Sequence, residues 1–423
     1  MTSRERVRRA LNHQEPDRVP VDCGSSYVTG ICVDAYAPLA HSLGLRSHPK
    51  VTEPFQMLAE VAPEVMERLG CDVVSLPPLV GMFGTRNENW KPFTTFAGND
   101  VLVPGTFNPV QLPNGDLVLS PGGDRSLPPS ARMPRGGFYF DIIVRQKPII
   151  EDQLRPEEFA EQFQPLTDEE LDYLRKASER LYRETDYAIL GGFYSGGLGD
   201  YVIVAAPGLR DPKGVRDPAE WIISHLTRPH YIREVFELQT ARALENLQLY
   251  RQAVGDRIEA IVISGTDFGT QRVEMISPDI YRELYLPFHK KMNDWVHHHT
   301  SWKTFYHSCG SIPRIIPLMI EAGVDILNPV QCSAQGMAPQ WLKEQFGNQL
   351  TFWGGAVDTQ KTLPFGTPEE VAAEVAERIR IFAPGGGFVI NAIHNIQQGT
   401  PPQNILAMFD AARARGVYPI ATG

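Results

Sequence analysis

Eight short apolar runs, most of them separated by stretches of helical length, constrain this chain more than any other feature. The runs are 19–22, 72–76, 188–193, 260–265, 304–307, 324–328, 350–353 and 388–391. From the third onward a helical segment lies between each run and the next, at 221–250, 278–299, 312–322, 339–346 and 368–381, and a last helix over 401–414 closes the chain. Apolar strands alternating with helices make a parallel sheet covered by its own crossovers. Eight such units predict an α/β fold, a (β/α)8 TIM barrel, with residues 1–423 as one unit. The helix starts agree: Ser277-Pro278, Thr367-Pro368-Glu369-Glu370 and Thr400-Pro401 each set a capping residue before a proline at the first helical position. A further helix is expected over 51–69, where Phe55, Leu58, Val61, Val65 and Leu69 recur at near-helical spacing.

Residues 83–165 break the rhythm. They are rich in Gly and Pro, and Asn114-Gly115 separates two short apolar stretches, a hairpin signal. A β-rich insertion after the second strand is expected there, on the barrel face where active sites lie. Its Phe83, Trp90, Phe138 and Tyr139 could cover an aromatic substrate or pack the core of the insertion itself.

Composition narrows the function classes. With 423 residues, 42% of them hydrophobic, the chain affords a large core. Its net charge of −10 opposes binding to nucleic acid. The basic cluster Arg4–Arg9 includes Glu5 and reads as a solvated helix face. No 18-residue apolar run and no apolar leader is seen, so no membrane attachment and a cytoplasmic location are expected. Five cysteines are too few for a disulfide framework. In a reducing compartment, Cys and His near one another point to metal or catalysis.

Barrel active sites are assembled from the C-terminal ends of the strands, and here those ends carry unusual chemistry. They read Gly265-Thr266-Asp267, His307-Ser308-Cys309, Asn328-Pro329-Val330-Gln331-Cys332, Asp358 and Asn391-Ala392-Ile393-His394-Asn395. In an extended chain, residues i and i+2 share a side, so His307 and Cys309 can address one ion. Zinc accepts imidazole with thiolate, and a catalytic site needs three protein ligands and an open position. His394 is the first choice for the third ligand, with Asp267, Gln331 and Cys332 as alternatives. Asp267 is the candidate proton donor or orienting acid. Tyr27, Asn328, Gln331, Asp358 and Asn395 are the substrate-pocket candidates; each could equally satisfy backbone groups. His297-His298-His299, near a helix end, reads as surface. Gly385-Gly386-Gly387 precedes a strand rather than a helix, which fits a turn and not a phosphate loop.

From its opening TSRERV and EPDRVPV to its closing GTPPQNI, the chain resembles the uroporphyrinogen decarboxylase superfamily, on its cobalamin-dependent methyltransferase-like branch. The motifs DFGTQ, ISPDIYRELYLPFHKK, HSCGSI, EAGVDILNPVQ, FWGGAVDTQ and INAIHNIQQGTPPQNI carry the resemblance. It implies a (β/α)8 barrel. The decarboxylases of this superfamily grip a polycarboxylate with arginines in an N-terminal loop; the matching loop here, residues 21–27, has none and carries Asp22. The methyltransferases hold zinc by a His-x-Cys pair, matched by His307 and Cys309, and by a distant Cys whose place falls on His394. One thiolate fewer leaves the ion a stronger Lewis acid, suited to an ether or amine leaving group. The resemblance thus implies a zinc-dependent methyltransferase of the O-demethylase type, moving a methyl group from a small methoxylated or methylated compound to the cobalt of a separate corrinoid protein. That partner would supply the cobalamin, and a homodimer is compatible with the family. Two other functions remain open at this point: a metal-free decarboxylase of a small carboxylic acid, and a non-catalytic barrel that binds a corrinoid protein.

Overall fold

The computed structural model describes residues 1–193 and 195–421. Seven parallel strands form one curled sheet: β1 (Val73–Leu76), β2 (Ala188–Gly192), β3 (Ala260–Ser264), β4 (Lys303–His307), β5 (Ile326–Asn328), β6 (Thr351–Trp353) and β7 (Phe388–Val389). Each pairs with its sequence neighbour. The first apolar run closes the gap between the two edges. Asp22 N–H donates to Ile390 O and Ile390 N–H to Pro20 O, both at 2.8 Å, while Asp72 N–H donates to Val21 O at 2.7 Å. The result is a (β/α)8 barrel, its eighth staves supplied by a short stretch whose Pro20 cannot donate to a ladder.

Alternation decides what the barrel contains. Val73, Leu190, Val262, Phe305, Ile326, Trp353 and Val389 point inward and form one buried cluster. The opposite faces of the strands pack on the surrounding helices, as with Ile189, Ile261, Tyr306 and Leu327. Helix Ser3–Leu11 lies across the N-terminal end, where Val7 and Leu11 join the inner cluster. A charged knot fastens it. Fully buried Asp72 receives Arg6 Nη1 at 2.6 Å, Arg18 Nη1 at 2.7 Å and the Val21 N–H at 2.9 Å.

Between β1 and β2 lie two small antiparallel sheets. One pairs Lys91–Thr94 with Asp100–Val103; the other is a four-stranded meander, Val110–Gln111, Leu117–Leu119, Ala131–Met133 and Asp141–Ile142. The turn at Asn114-Gly115 joins its first two strands, with Gly115 at φ +90° as such a turn requires. A chain of tilted and edge-on rings, Phe55, Phe83, Phe140, Phe107 and Phe93, packs this region. Phe83 is therefore interior to it. Tyr139 is 45% exposed and packs on Phe138.

The helix expected over 51–69 is corrected to an antiparallel pair, Val51–Glu53 with Leu58–Ala59, followed by the helix Pro63–Leu69. Pro54 has no N–H to give a helix, and the Glu53 carboxylate takes the N–H groups of Phe55 and Gln56 to make a turn instead. The last helix begins at Pro402, one residue later than expected, with Pro401 at the cap. A proline holds the residue before it out of the helical region. The capping at Thr367 is as the sequence suggests, a reciprocal Thr367–Glu370 box.

Candidate metal centre

His307 is the last residue of β4, and its inward direction follows from alternation with buried, inward Phe305. Its Nδ1 lies 2.6 Å from Asn328 Oδ1, while Asn328 Nδ2 donates to Trp353 O at 2.8 Å. The Trp353 carbonyl fixes which way the amide points. An amide oxygen only accepts, so Nδ1 carries the ring proton and the lone pair sits on Nε2. That nitrogen faces Cys309 Sγ at 3.3 Å and Asp267 Oδ1 at 3.6 Å. His394 completes the group, its ring centroid 5.2 Å from that of His307.

Donor atoms of His307, Cys309 and His394 all lie within 4.8 Å of one another. In a tetrahedral zinc site, N and S donors about 2.0–2.3 Å from the ion stand roughly 3.5 Å apart. The set therefore has the chemistry and spacing to hold one divalent cation. Burial pushes both His307 and His394 down to about 4, so each imidazole is neutral at pH 7. Burial, then the Asp267 charge, pushes the Cys309 thiol up. Burial raises the Asp267 carboxyl above the ordinary range, although 35% of its side-chain surface is open.

Two loops carry Asp267 and Cys309, and they are zipped together. Cys309 N–H donates to Asp267 Oδ1 at 2.6 Å, Phe268 N–H to Ser308 Oγ at 2.9 Å and Ser311 N–H to Thr270 O at 2.7 Å. So close an approach needs glycine on both sides. A Cβ on Gly310 would sit 2.4 Å from the Gly269 carbonyl carbon, and one on Gly269 would sit 2.7 Å from Cys309 O. Phe268 anchors the first loop by packing edge-on against Tyr281 and Tyr285.

The other sequence candidates sit as follows. Asn328 orients His307. Gln331 Oε1 accepts the Gly310 N–H at 2.7 Å and so braces the Cys309 loop. Asn395 takes the Gly30 N–H and donates to Tyr27 O and Gln56 Oε1, holding the N-terminal loop. Asp358 caps Gln360. Cys332 is outside the His307 group and faces the charges of Arg378, Glu374 and Asp358. The surface histidines behave as expected, with His297 on Asp325 at 2.7 Å and His298 and His299 on helix carbonyls.

Tyr27 is the one of these candidates that lines the two cavities described next to the barrel mouth. The larger, about 610 Å³, runs beneath the insertion past Glu53, Trp90 and Arg180. The smaller, about 230 Å³, is walled by Phe163, Phe193, Ile203 and Leu209 and floored by Gly265 and Asp200. Neither touches His307, Cys309 or His394. The smaller comes nearer the metal-type cluster in chain terms, because Gly265 stands two residues before Asp267. Asp200 escaped the sequence analysis. Its one signal is an acidic residue after Gly-Gly-Leu-Gly and before the apolar stretch 201–205, the pattern of a helix cap.

The uroporphyrinogen decarboxylase (URO-D) family model matches residues 135–415, about two-thirds of the chain. The chain belongs to the URO-D family. Among curated relatives, the uroporphyrinogen decarboxylase of Prochlorococcus marinus (strain MIT 9211) is 26% identical over 295 residues, 67% of this chain and 75% of the relative. That of Synechococcus sp. (strain CC9605) is 27% identical over 293 residues, with the same coverage. Among solved structures, a methyltransferase from Methanosarcina mazei superposes with a TM-score of 0.55 at 17% identity, covering 98% of this chain and 99% of that one. At that identity the likeness speaks to the fold alone. The URO-D membership places the barrel among enzymes of known architecture. Among the described residues no helix is long and apolar enough to cross a membrane.

Proposed function

We propose that this chain is a zinc-dependent methyltransferase on the methyltransferase-like branch of the URO-D family. It would move a methyl group from a small methoxylated or methylated compound to the cobalt of a separate corrinoid protein. One observation carries the reading: the convergence of His307, Cys309 and His394 on one point at the barrel mouth, with Asn328 setting the tautomer of His307. A structural zinc site uses four protein ligands; three leave a position for substrate.

His307 Nε2, Cys309 Sγ and a ring nitrogen of His394 would hold the ion. When bound, zinc would supply Lewis acidity at the barrel mouth. Asn328 keeps the His307 proton on Nδ1, away from the ion, as an outer partner should. Asp267, beside His307 Nε2 and tied to the Cys309 N–H, orients the cluster.

The alternative, a metal-free decarboxylase of a small acid, has the names of the curated relatives in its favour. Against it stands the N-terminal loop 21–27, which has no guanidinium for an acidic substrate; its one carboxylate, Asp22, is buried and bonded to Ser25 and Trp353. Metal analysis of the purified protein separates the two. About one zinc per chain, lost in His394→Ala, together with methylation of free cob(I)alamin followed by its absorbance, is the expected result. Zinc retained in full by His394→Ala would remove that residue from the ligand set. A metal-free protein that decarboxylates a small acid would replace this reading with the alternative.

A further inference from the structure

The small cavity lies over a point where two polar atoms converge. A Cβ placed on Gly265 would meet the Tyr27 hydroxyl at 2.4 Å and Asp200 Oδ2 at 3.1 Å. The bare glycine leaves both atoms room at the cavity floor. Asp200 divides its carboxylate between two tasks. Its Oδ1 accepts the N–H groups of Val202 and Ile203, at 2.8 and 3.3 Å, and its Oδ2 is turned to the cavity. The loop is held in place: Thr266 Oγ1 donates to Leu198 O at 2.7 Å, and Gly199 fits against the Tyr285 ring that also packs Phe268. The same few residues, 265–267, thus connect this floor to the His307 cluster.

The walls say what kind of molecule fits. Phe163, Phe193, Met82, Ile203 and Leu209 are apolar, and no lysine or arginine lines the cavity among the described residues. Arg145 and Arg216 are not among the lining residues; the Nη groups of Arg145 go to the carbonyls of Ala206 and Leu209, its buried Nε has no partner, and Arg216 donates to those of Lys213, Val204 and Phe159. No cationic side chain lines the cavity to pair with a carboxylate on the ligand, so burying one there would be costly.

We infer that Asp200 is a catalytic acid that hydrogen-bonds the leaving oxygen of an uncharged aryl methyl ether seated in this cavity. The inference rests on the methyl-transfer reading and names its donor class and proton source. In the step, the methyl–oxygen bond breaks and its electron pair stays on oxygen. The methyl carbon goes to the reduced cobalt of the acceptor corrinoid. The proton on Asp200 Oδ2 goes to the oxygen, giving a neutral phenol, and solvent restores it. Burial, with a smaller push from the Asp267 charge, raises Asp200 to about 7, which keeps a proton available near neutrality.

Asp200→Asn tests this directly, because an amide still caps Val202 and Ile203 and still donates to an ether oxygen but has no acid proton to give. Guaiacol is the neutral probe, 4-methoxybenzoate the anionic one, 4-nitroanisole the donor whose phenolate leaves without needing a proton, and free cob(I)alamin the acceptor. By calorimetry, guaiacol should bind wild type and Asp200→Asn within about threefold of each other, bind Asp200→Ala and Gly265→Ala more than tenfold more weakly, and outcompete 4-methoxybenzoate by more than tenfold. Methyl transfer from guaiacol should fall more than a hundredfold in Asp200→Asn, and transfer from 4-nitroanisole less than tenfold. Unchanged guaiacol affinity in both Asp200→Ala and Gly265→Ala would overturn the assignment, as would wild-type transfer from guaiacol by Asp200→Asn. A wild type that binds guaiacol but methylates cob(I)alamin from no donor would overturn the methyl-transfer reading itself.

Discussion

Asn328 Oδ1 sits 2.6 Å from His307 Nδ1, and the amide behind it is locked by the Trp353 carbonyl. This one contact decides which nitrogen of His307 is free to act. Replacing Asn328 with Leu would leave a buried ring N–H and a buried carbonyl without partners. Zinc affinity, measured by competition with a chelator, is expected to fall about 10–100-fold, the usual effect of losing an outer partner of a ligating histidine. The circular dichroism of the variant should match wild type. Undiminished affinity would mean that the tautomer is set elsewhere.

The pairing of Gly269 with Gly310 makes a second expectation. A methyl group on Gly310 would have to occupy space 2.4 Å from the Gly269 carbonyl carbon, at a φ of +87° that side chains avoid. Gly310→Ala should separate the two loops, detach the Cys309 N–H from Asp267, and destabilise the fold by about 1–3 kcal/mol. Both urea unfolding and zinc content should register the change.

Asp72 makes a test at the other end of the barrel. Two arginines and a backbone N–H converge on its fully buried carboxylate. Asp72→Ala leaves Arg18 without a carboxylate and Arg6 with only Asp17, and a loss of about 3 kcal/mol is expected in chemical denaturation. Because this knot also ties helix Ser3–Leu11 and the closing segment to β1, proteolysis near the N-terminus should accelerate in the variant.

Glu53 gives the stability a pH dependence. Burial raises its carboxyl to about 7, outweighing the N–H groups of Gln56 and Phe55 that pull it down. The folded protein thus holds this proton more tightly than the unfolded chain does. Its contribution to stability is complete below pH 4.5 and fades as pH rises toward 7. Because the carboxyl faces a large cavity, the effect is on the order of 1 kcal/mol. Unfolding free energies of wild type and Glu53→Gln, compared at pH 4.5 and pH 8, should differ more favourably for the variant at the higher pH. A constant difference would show that Glu53 titrates normally.

Much of the architecture was legible in the chain. The barrel strands fall on the apolar runs because a strand buried on both sides must be apolar throughout, and that requirement is local. That His307 and Cys309 share a side was legible for the same reason, since alternation is a property of three adjacent residues. The helix expected over 51–69 misled because its apolar spacing suits a helix as well as a folded-back pair. Pro54 and the Glu53 side chain settle the matter through hydrogen bonds that spacing does not encode.

What the tertiary structure alone decided is where distant residues meet. Asn328 and Asn395 look like pocket residues in the sequence, yet one holds a histidine ring and the other a loop. His394 stands 87 positions from His307, and the curl of the sheet brings the end of the last strand round to face it. Asp200 acquires its place at a cavity floor from the absence of a side chain at Gly265, 65 residues away. Strand identity follows from local periodicity. The partners of a polar side chain follow from long-range packing, which many different sequences can satisfy and no short window specifies.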